Sequence, residues 1–242
     1  MPGRFAIISP PETLRGFFAY VEEPDFPPRY NIAPTQPIPV VTAAAHSEGL
    51  RRHFTLMRWG FLPAFVKDPK AFALIINARG ETLTEKASFR AAVKRRRCLI
   101  IADGFYEWLR GPGRAAAARS FLIRRPDRGP MGFAGLYETW SDPNGGEIDT
   151  ACIITTPPNQ TIAAIHDRMP AIIDPRDFHF WLDNDGVEAS AATALLRPAP
   201  DDSLELVEVG MEVNRVGNDD AEIQRPVSPP LKPPGKAQGE LF

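Results

Sequence analysis

The chain has 242 residues, 43% hydrophobic and 24% charged, with a formal net charge of −2. That length can bury a substantial core as one large domain, and no apolar run approaches the roughly 18 to 20 residues that a membrane span needs. The first residues lack the basic region, apolar core and small-residue cleavage site of a secretory signal, so a cytoplasmic location is expected.

Proline supplies 26 residues, about twice the usual share of roughly 5%, which favours strands, turns and short helices over long helices. In chain order, RFAIIS (4–9) predicts a strand and PPETLRGFFAYV (10–21) a helix with Ser9 as its cap. PIPVVTA (37–43) and FTLMRWGFLP (54–63) predict strands. EKASFRAAVKRRR (85–97) predicts a helix whose closing cations suit its C-terminus. CLIIADGFYEWL (98–109), RSFLIRR (119–125), MGFAGLYETW (131–140) and DTACIITT (149–156) predict strands. PPNQTIAAI (157–165) after Thr156, DPRDFHFWL (174–182) behind an Asp cap, and VEASAATALL (187–196) after Gly186 predict helices. MPAIID (169–174) and SLELVEV (203–209) complete the strands. RGPGRAAAARS (110–120) predicts a mobile hairpin loop, and SDPNGGEID (141–149) a second turn. The sum is a β-rich α+β domain over residues 1–224, followed by a flexible, Pro-rich tail over 225–242.

The near-neutral charge hides a segregation. Residues 90–128 carry 11 Lys and Arg against 3 Asp and Glu, whereas 138–222 carry 4 against 18. One basic face would suit a polyanion, while the plainer reading of KRRR (94–97) is a solvated helix end. Cys98 and Cys152 lie in apolar runs and are expected as small buried hydrophobes. His46, His53, His166 and His179 are scattered and no Gly-rich phosphate loop occurs, so neither a metal nor a cofactor is expected. Three stretches place polar groups where a packed strand would not. Asn77, Arg79 and Glu81 alternate in NARGET at a strand end, where a ligand could be met. Glu107 sits among Phe105, Tyr106 and Trp108, where desolvation would raise a carboxyl pKa. His166 lies between a short helix and a strand, with a ring suited to proton transfer. Taken singly, Asn77 also fits a turn former, Glu107 a salt-bridge partner, and His166 a helix terminator.

Together these stretches resemble the SRAP family, the SOS-response-associated peptidase-like proteins that shield abasic sites in single-stranded DNA. The resemblance runs in family order through GRF (3–5), YNIAPTQ (30–36), RWGFLP (58–63), NARGET (77–82), RRRCLIIADGFYEW (95–108), FAGLYE (133–138) and TTPPNQTIAAIHDRMPAII (155–173), with VNRVGND (213–219) echoing the closing segment. It implies a β-rich α+β fold with a basic groove for single-stranded DNA; a monomer is the default expectation, nucleoid-associated when bound to DNA. It also implies roles: Asn77 positions the nucleophile or bonds sugar hydroxyls, Glu107 acts as general acid–base, and His166 moves a proton. Arg4, Arg79 and Arg168 would clamp phosphates, with Asn31 and Thr155 lining the groove.

One position departs from the family. Where its pattern reads MCGRF, with a cysteine that closes a thiazolidine on the abasic aldehyde, this chain reads MPGRF. Pro2, once Met1 is removed, offers a secondary amine and no thiol. The expectation is a transient Schiff base with lyase character instead of a stable crosslink. The alternatives are a noncatalytic binding module and an autopeptidase that removes Met1, the latter weakened by the missing thiol.

Overall fold

The structure, a computed structural model, describes residues 2–46, 49–109, 119–142 and 145–227. The predicted loop at 110–120 and the tail therefore fall largely outside the described residues. The strands are β1 (Arg4–Ile7), β2 (Arg29–Ile32), β3 (Pro37–His46), β4 (Gly49–Trp59), β5 (Asn77–Arg79), β6 (Arg97–Ala102), β7 (Gly104–Leu109), β8 (Arg119–Arg124), β9 (Met131–Ser141), β10 (Glu147–Thr156), β11 (Met169–Pro170), β12 (Ile172–Ile173) and β13 (Glu205–Val209).

They form two sheets. The smaller runs β13-β8-β7-β1-β2 and places the N-terminal strand between two partners. In the larger, β4-β3-β6-β9-β10 close on themselves, because β10 pairs with β9 along one edge and with β4 along the other. Closure removes the exposed edges of these strands and buries both faces of β10 from Thr150 to Thr156, which is why DTACIITT reads as a continuous apolar run. Past the end of β4, the same edge of β10 is taken up by β5, parallel and in register Ile153 to Asn77 and Thr155 to Arg79. β11 pairs with β10 from Thr155 to Pro170 and Thr156 to Met169.

CLIIADGFYEWL, expected as one strand, is two. β6 belongs to the barrel and β7 to the smaller sheet, and the break falls at Asp103. Its backbone N–H donates to the Ala6 carbonyl, while its carboxylate accepts from Ile8 N, Ser9 N and the Ser9 hydroxyl. Ser9 therefore serves this corner and not the helix Pro11–Phe18, which has no side-chain cap. Gly104 follows because a Cβ there would meet Leu122 Cδ1 at 2.8 Å and the Ile123 carbonyl oxygen at 3.1 Å. Between the sheets lies the core, where Phe5 meets Trp59 edge-on at 5.0 Å and Phe105 meets Phe133 at 5.8 Å. Cys98 and Cys152 are fully buried and free, and burial pushes both thiols up, in keeping with small hydrophobes.

The helices are short, as expected. The predicted helix 85–97 is broken into Ala87–Arg90 and Ala92–Arg95, and its last cation is not solvated. Arg97 is wholly buried, its guanidinium donating to the carbonyls of Trp181, Val93, Asp183 and Val187. The KRRR run is thus exposed at Lys94 and Arg95, paired at Arg96 with Glu138, and structural at Arg97. The helix Gln160–Ala163 is capped by Asn159, which accepts from Ile162 N, where Thr156 was expected to precede it. Contacts continue three residues past Gln224, as Pro226 bridges Val209 and Val227 N donates to the Glu208 carbonyl. Among the described residues no helix is long and apolar enough to cross a membrane.

Candidate functional site

The alternation of side chains along strands decides which of the predicted residues meet. In the smaller sheet Arg4 stands opposite Tyr106 and Phe5 opposite Phe105. Phe5 and Phe105 face the barrel, so Glu107, two residues beyond Phe105, faces it as well, at the rim of the core. In the barrel Asn77, Arg79 and Thr155 share a face, because Asn77 pairs with Ile153 and Arg79 with Thr155. The site forms where these faces meet at the edge of the inter-sheet layer.

Two contacts cross between the sheets there. Asn77 Nδ2 donates to the carbonyl oxygen of buried Pro2 at 2.9 Å, fixing the residue that leads into β1. His166 Nε2 lies 3.8 Å from Glu107 Oε2. Glu107 is 3% exposed, and burial pushes its carboxyl up to about 6. His166 is held from two sides: its backbone N–H donates to the Ile162 carbonyl, and its Nδ1 accepts from the Arg168 backbone N–H at 3.0 Å. Asp167 Oδ1 is 2.9 Å from the same Nδ1, but that side chain is 85% exposed. A fixed backbone donor outweighs a solvated carboxylate as the determinant of the ring, which assigns the neutral imidazole proton to Nε2, toward Glu107.

Arg168 is engaged more deeply than a surface clamp. Its Nη1 and Nη2 fork onto the two Glu81 oxygens at 2.5 and 2.9 Å, and Nη2 also donates to the Thr155 carbonyl and hydroxyl. Among the described residues, Asn77 Oδ1, an acceptor, and Arg168 Nε, a donor, are buried at the site without a hydrogen-bond partner. Arg79 is exposed beside them. The Glu81 link is the feature sequence reasoning missed: NARGET drew attention to Glu81, but nothing in the spacing named a partner 87 residues away.

Two predicted residues stand apart. Arg4 and Asn31 lie on the opposite face of the smaller sheet from Glu107, since Phe5 pairs with Ile32. Arg4 donates to Asn31 Oδ1 and to the carbonyls of Val213 and Asn214, while fully buried Asn31 donates to those of Val213, Arg215 and Asn218. The pair holds the closing segment VNRVGND against the sheet. A cavity of about 300 Å³ lined by Thr35, Arg58, Phe61, Phe72 and Leu74 involves none of the predicted site residues. Among the described residues no group of three or more His, Cys, Asp and Glu side chains could hold a metal ion.

A closed barrel is backed by a sheet whose N-terminal strand pairs with the strand carrying Glu107, which sets the start of β1 near a buried carboxyl group and a histidine. The family model for SOS response associated peptidase (SRAP) matches residues 1–216, and the chain belongs to this family. Abasic site processing protein YoqW of Bacillus subtilis (strain 168) is 36% identical over 226 residues, covering 92% of this chain and 98% of that protein. Abasic site processing protein HMCES of Xenopus tropicalis is 32% identical over 200 residues, covering 72% of this chain and 59% of that protein. The crystal structure of a protein from Bacteroides thetaiotaomicron shares the fold with a TM-score of 0.79 at 22% identity, covering 92% of this chain and 99% of the other.

Proposed function

We propose that this protein binds single-stranded DNA at abasic sites and reacts with the ring-opened sugar aldehyde through the amine of Pro2, exposed by removal of Met1. The observation that carries the reading is the placement of buried Pro2, held by Asn77 at the head of β1 and close in sequence register to Glu107, the partner of His166. Names of relatives such as YoqW and HMCES support the abasic-site context.

The Pro2 nitrogen attacks the aldehyde carbon, forming a C–N bond, opening the C=O double bond and passing its own proton to the former carbonyl oxygen to give a carbinolamine. Glu107, protonated below its raised pKa of about 6, is placed to protonate the resulting hydroxyl. Loss of water then leaves an iminium. A secondary amine has no second proton to lose, so the iminium stays cationic, and no sulfur is present to trap it. Its fates are hydrolysis back to the aldehyde, or removal of the adjacent sugar proton by the Glu107 carboxylate left after that protonation, with departure of the 3′ phosphate, while His166, its proton on Nε2, is suited to donate a proton in opening the sugar ring. Arg79 is exposed for phosphate contact. The unpartnered Arg168 Nε and Asn77 Oδ1 fit a ligand that brings an anionic oxygen and a hydroxyl, since a buried polar atom left unmatched costs about 1–3 kcal/mol.

The test is a denaturing gel of the protein with an abasic-site oligonucleotide, with and without borohydride, beside Pro2→Cys. A band that appears only with reductant, alongside reductant-independent crosslinking by the cysteine variant, is the expected outcome. Crosslinking by Pro2→Cys with no band from the parent under any condition would leave a noncatalytic DNA-binding module.

A further inference from the structure

We propose that Glu81 is a positioning residue of this site: by holding Arg168, it fixes the peptide that orients the His166 ring with Nε2 toward Glu107. The inference deepens the reading above and rests on it only where catalysis is measured.

Glu81 lies in the turn Gly80–Thr82, which follows β5 directly. The turn is pressed against β10, where a Cβ on Gly80 would stand 3.3 Å from the Thr155 carbonyl oxygen and 3.4 Å from Leu196 Cδ1. From there the carboxylate meets the Arg168 guanidinium through both oxygens, and the arginine in turn meets Thr155. An ordinary surface ion pair contributes about 0–1 kcal/mol because both partners remain solvated. This one differs at its cationic end, since the Arg168 side chain is only 11% exposed while Glu81 is 46% exposed. A guanidinium taken out of water depends on its carboxylate, and removing that partner leaves a buried charge uncompensated. The Arg168 hydrogen bonds likewise hold Glu81 below the usual carboxylate range.

Arg168 contributes to the histidine through its main chain. Its N–H donates to His166 Nδ1, so any withdrawal of the guanidinium toward solvent moves the peptide that sets the ring. Among the described residues, Glu107 faces that ring 3.8 Å from Nε2 and Asp167 faces it 2.9 Å from Nδ1. Asp167 accepts where the Arg168 N–H donates. Without the backbone donor the ring would favour a proton on Nδ1, leaving Nε2 without one on the Glu107 side. Glu81 thus selects between two tautomers of a residue it does not touch.

The experiment compares the parent with Glu81→Gln and Glu81→Asp in two readouts. The first is the nitrogen-15 spectrum of the His166 ring in the DNA-free protein. The parent should show a protonated Nε2 and an accepting Nδ1, Glu81→Gln should show a shift of population to the other tautomer, and Glu81→Asp should fall between them. The second is the rate of borohydride-trapped adduct against pH, which Glu81→Gln should lower on the order of tenfold or more, the scale on which misplaced catalytic groups register. Binding to intact single-stranded DNA should stay within a few-fold, and Glu81→Asp should recover part of the rate. A ring spectrum unchanged in Glu81→Gln overturns the proposal whatever happens to the rate. If the parent forms no trapped adduct, the catalytic reading falls, and the ring spectra alone decide the role of Glu81.

Discussion

Glu107 carries a tension that can be measured without DNA. Its carboxyl is raised from 4.5 to about 6 mainly by burial, so the folded state holds this proton more tightly than the unfolded chain does. Stability from this group is therefore complete below about pH 4.5 and is lost as pH rises through about 6. At 1.36 kcal/mol per unit the loss is about 2 kcal/mol. Glu107→Gln, which keeps the shape and removes the titration, should match the parent at pH 4 and exceed it by roughly that amount at pH 8 in urea unfolding. The same substitution should slow adduct formation and abolish any fall in rate above pH 6, because the general acid is gone. An equal loss of DNA binding and of adduct formation would instead make Glu107 structural.

At the scale of elements, the segment from Val213 to Asn218 has little regular structure of its own and depends on Asn31 and Arg4 for its place. Asn31→Ala removes two amide N–H donors that three carbonyls share and the acceptor of Arg4 from a fully buried side chain, at about 1 kcal/mol each before any unmatched carbonyl is counted. The expected result is a loss of roughly 3 kcal/mol together with faster hydrogen exchange across 213–218 and unchanged protection in β10. Uniform deprotection of both would mean that Asn31 supports the whole fold and not one segment. Periodicity made most strands and helices legible, including the capping of Pro175–Asp177 by Asp174. It missed the break at Asp103 because the residues on both sides are apolar and β-prone, and only their partners, β3 and β9 on one side and β1 and β8 on the other, separate them. The face on which Arg4 and Asn31 lie was hidden for the same reason: alternation says that neighbours oppose each other, but not which side meets the barrel.

For the molecule as a whole, family resemblance made the β-rich fold readable, and the same motifs brought Asn77, Glu107 and His166 to attention before any geometry was known. Closure of the barrel and the Glu81–Arg168 link were not readable, because both depend on pairings between distant residues that leave no local signature. Charge is arranged unevenly at this scale too, and the two arginines near the site should behave differently. Arg79 is exposed, so Arg79→Ala should reduce the salt dependence of single-stranded DNA binding by about 0.7 in log–log slope, the value for one phosphate contact. Arg168→Ala should change the slope less, since Glu81 already balances its charge. Equal slopes for parent and Arg79→Ala, measured by fluorescence anisotropy across a salt series, would remove Arg79 from the phosphate contacts.

β1 occupies an interior place in the smaller sheet, between β2 and β7. The ribosome makes β1 first, yet one of its two neighbours ends only at Leu109. At about 5–20 residues per second, the beginning of the chain waits several seconds before that side can close. Enzymes that trim an initiator methionine have this interval in which to act. Afterwards Pro2 is buried and held by Asn77, and the bond before it is harder to reach. If Pro2 reacts as proposed, its amine is then freed during synthesis, so the ratio of trimmed to untrimmed chains should depend on translation speed and aminopeptidase supply. Protein purified from slow and fast expression, weighed by intact mass spectrometry, would display that history.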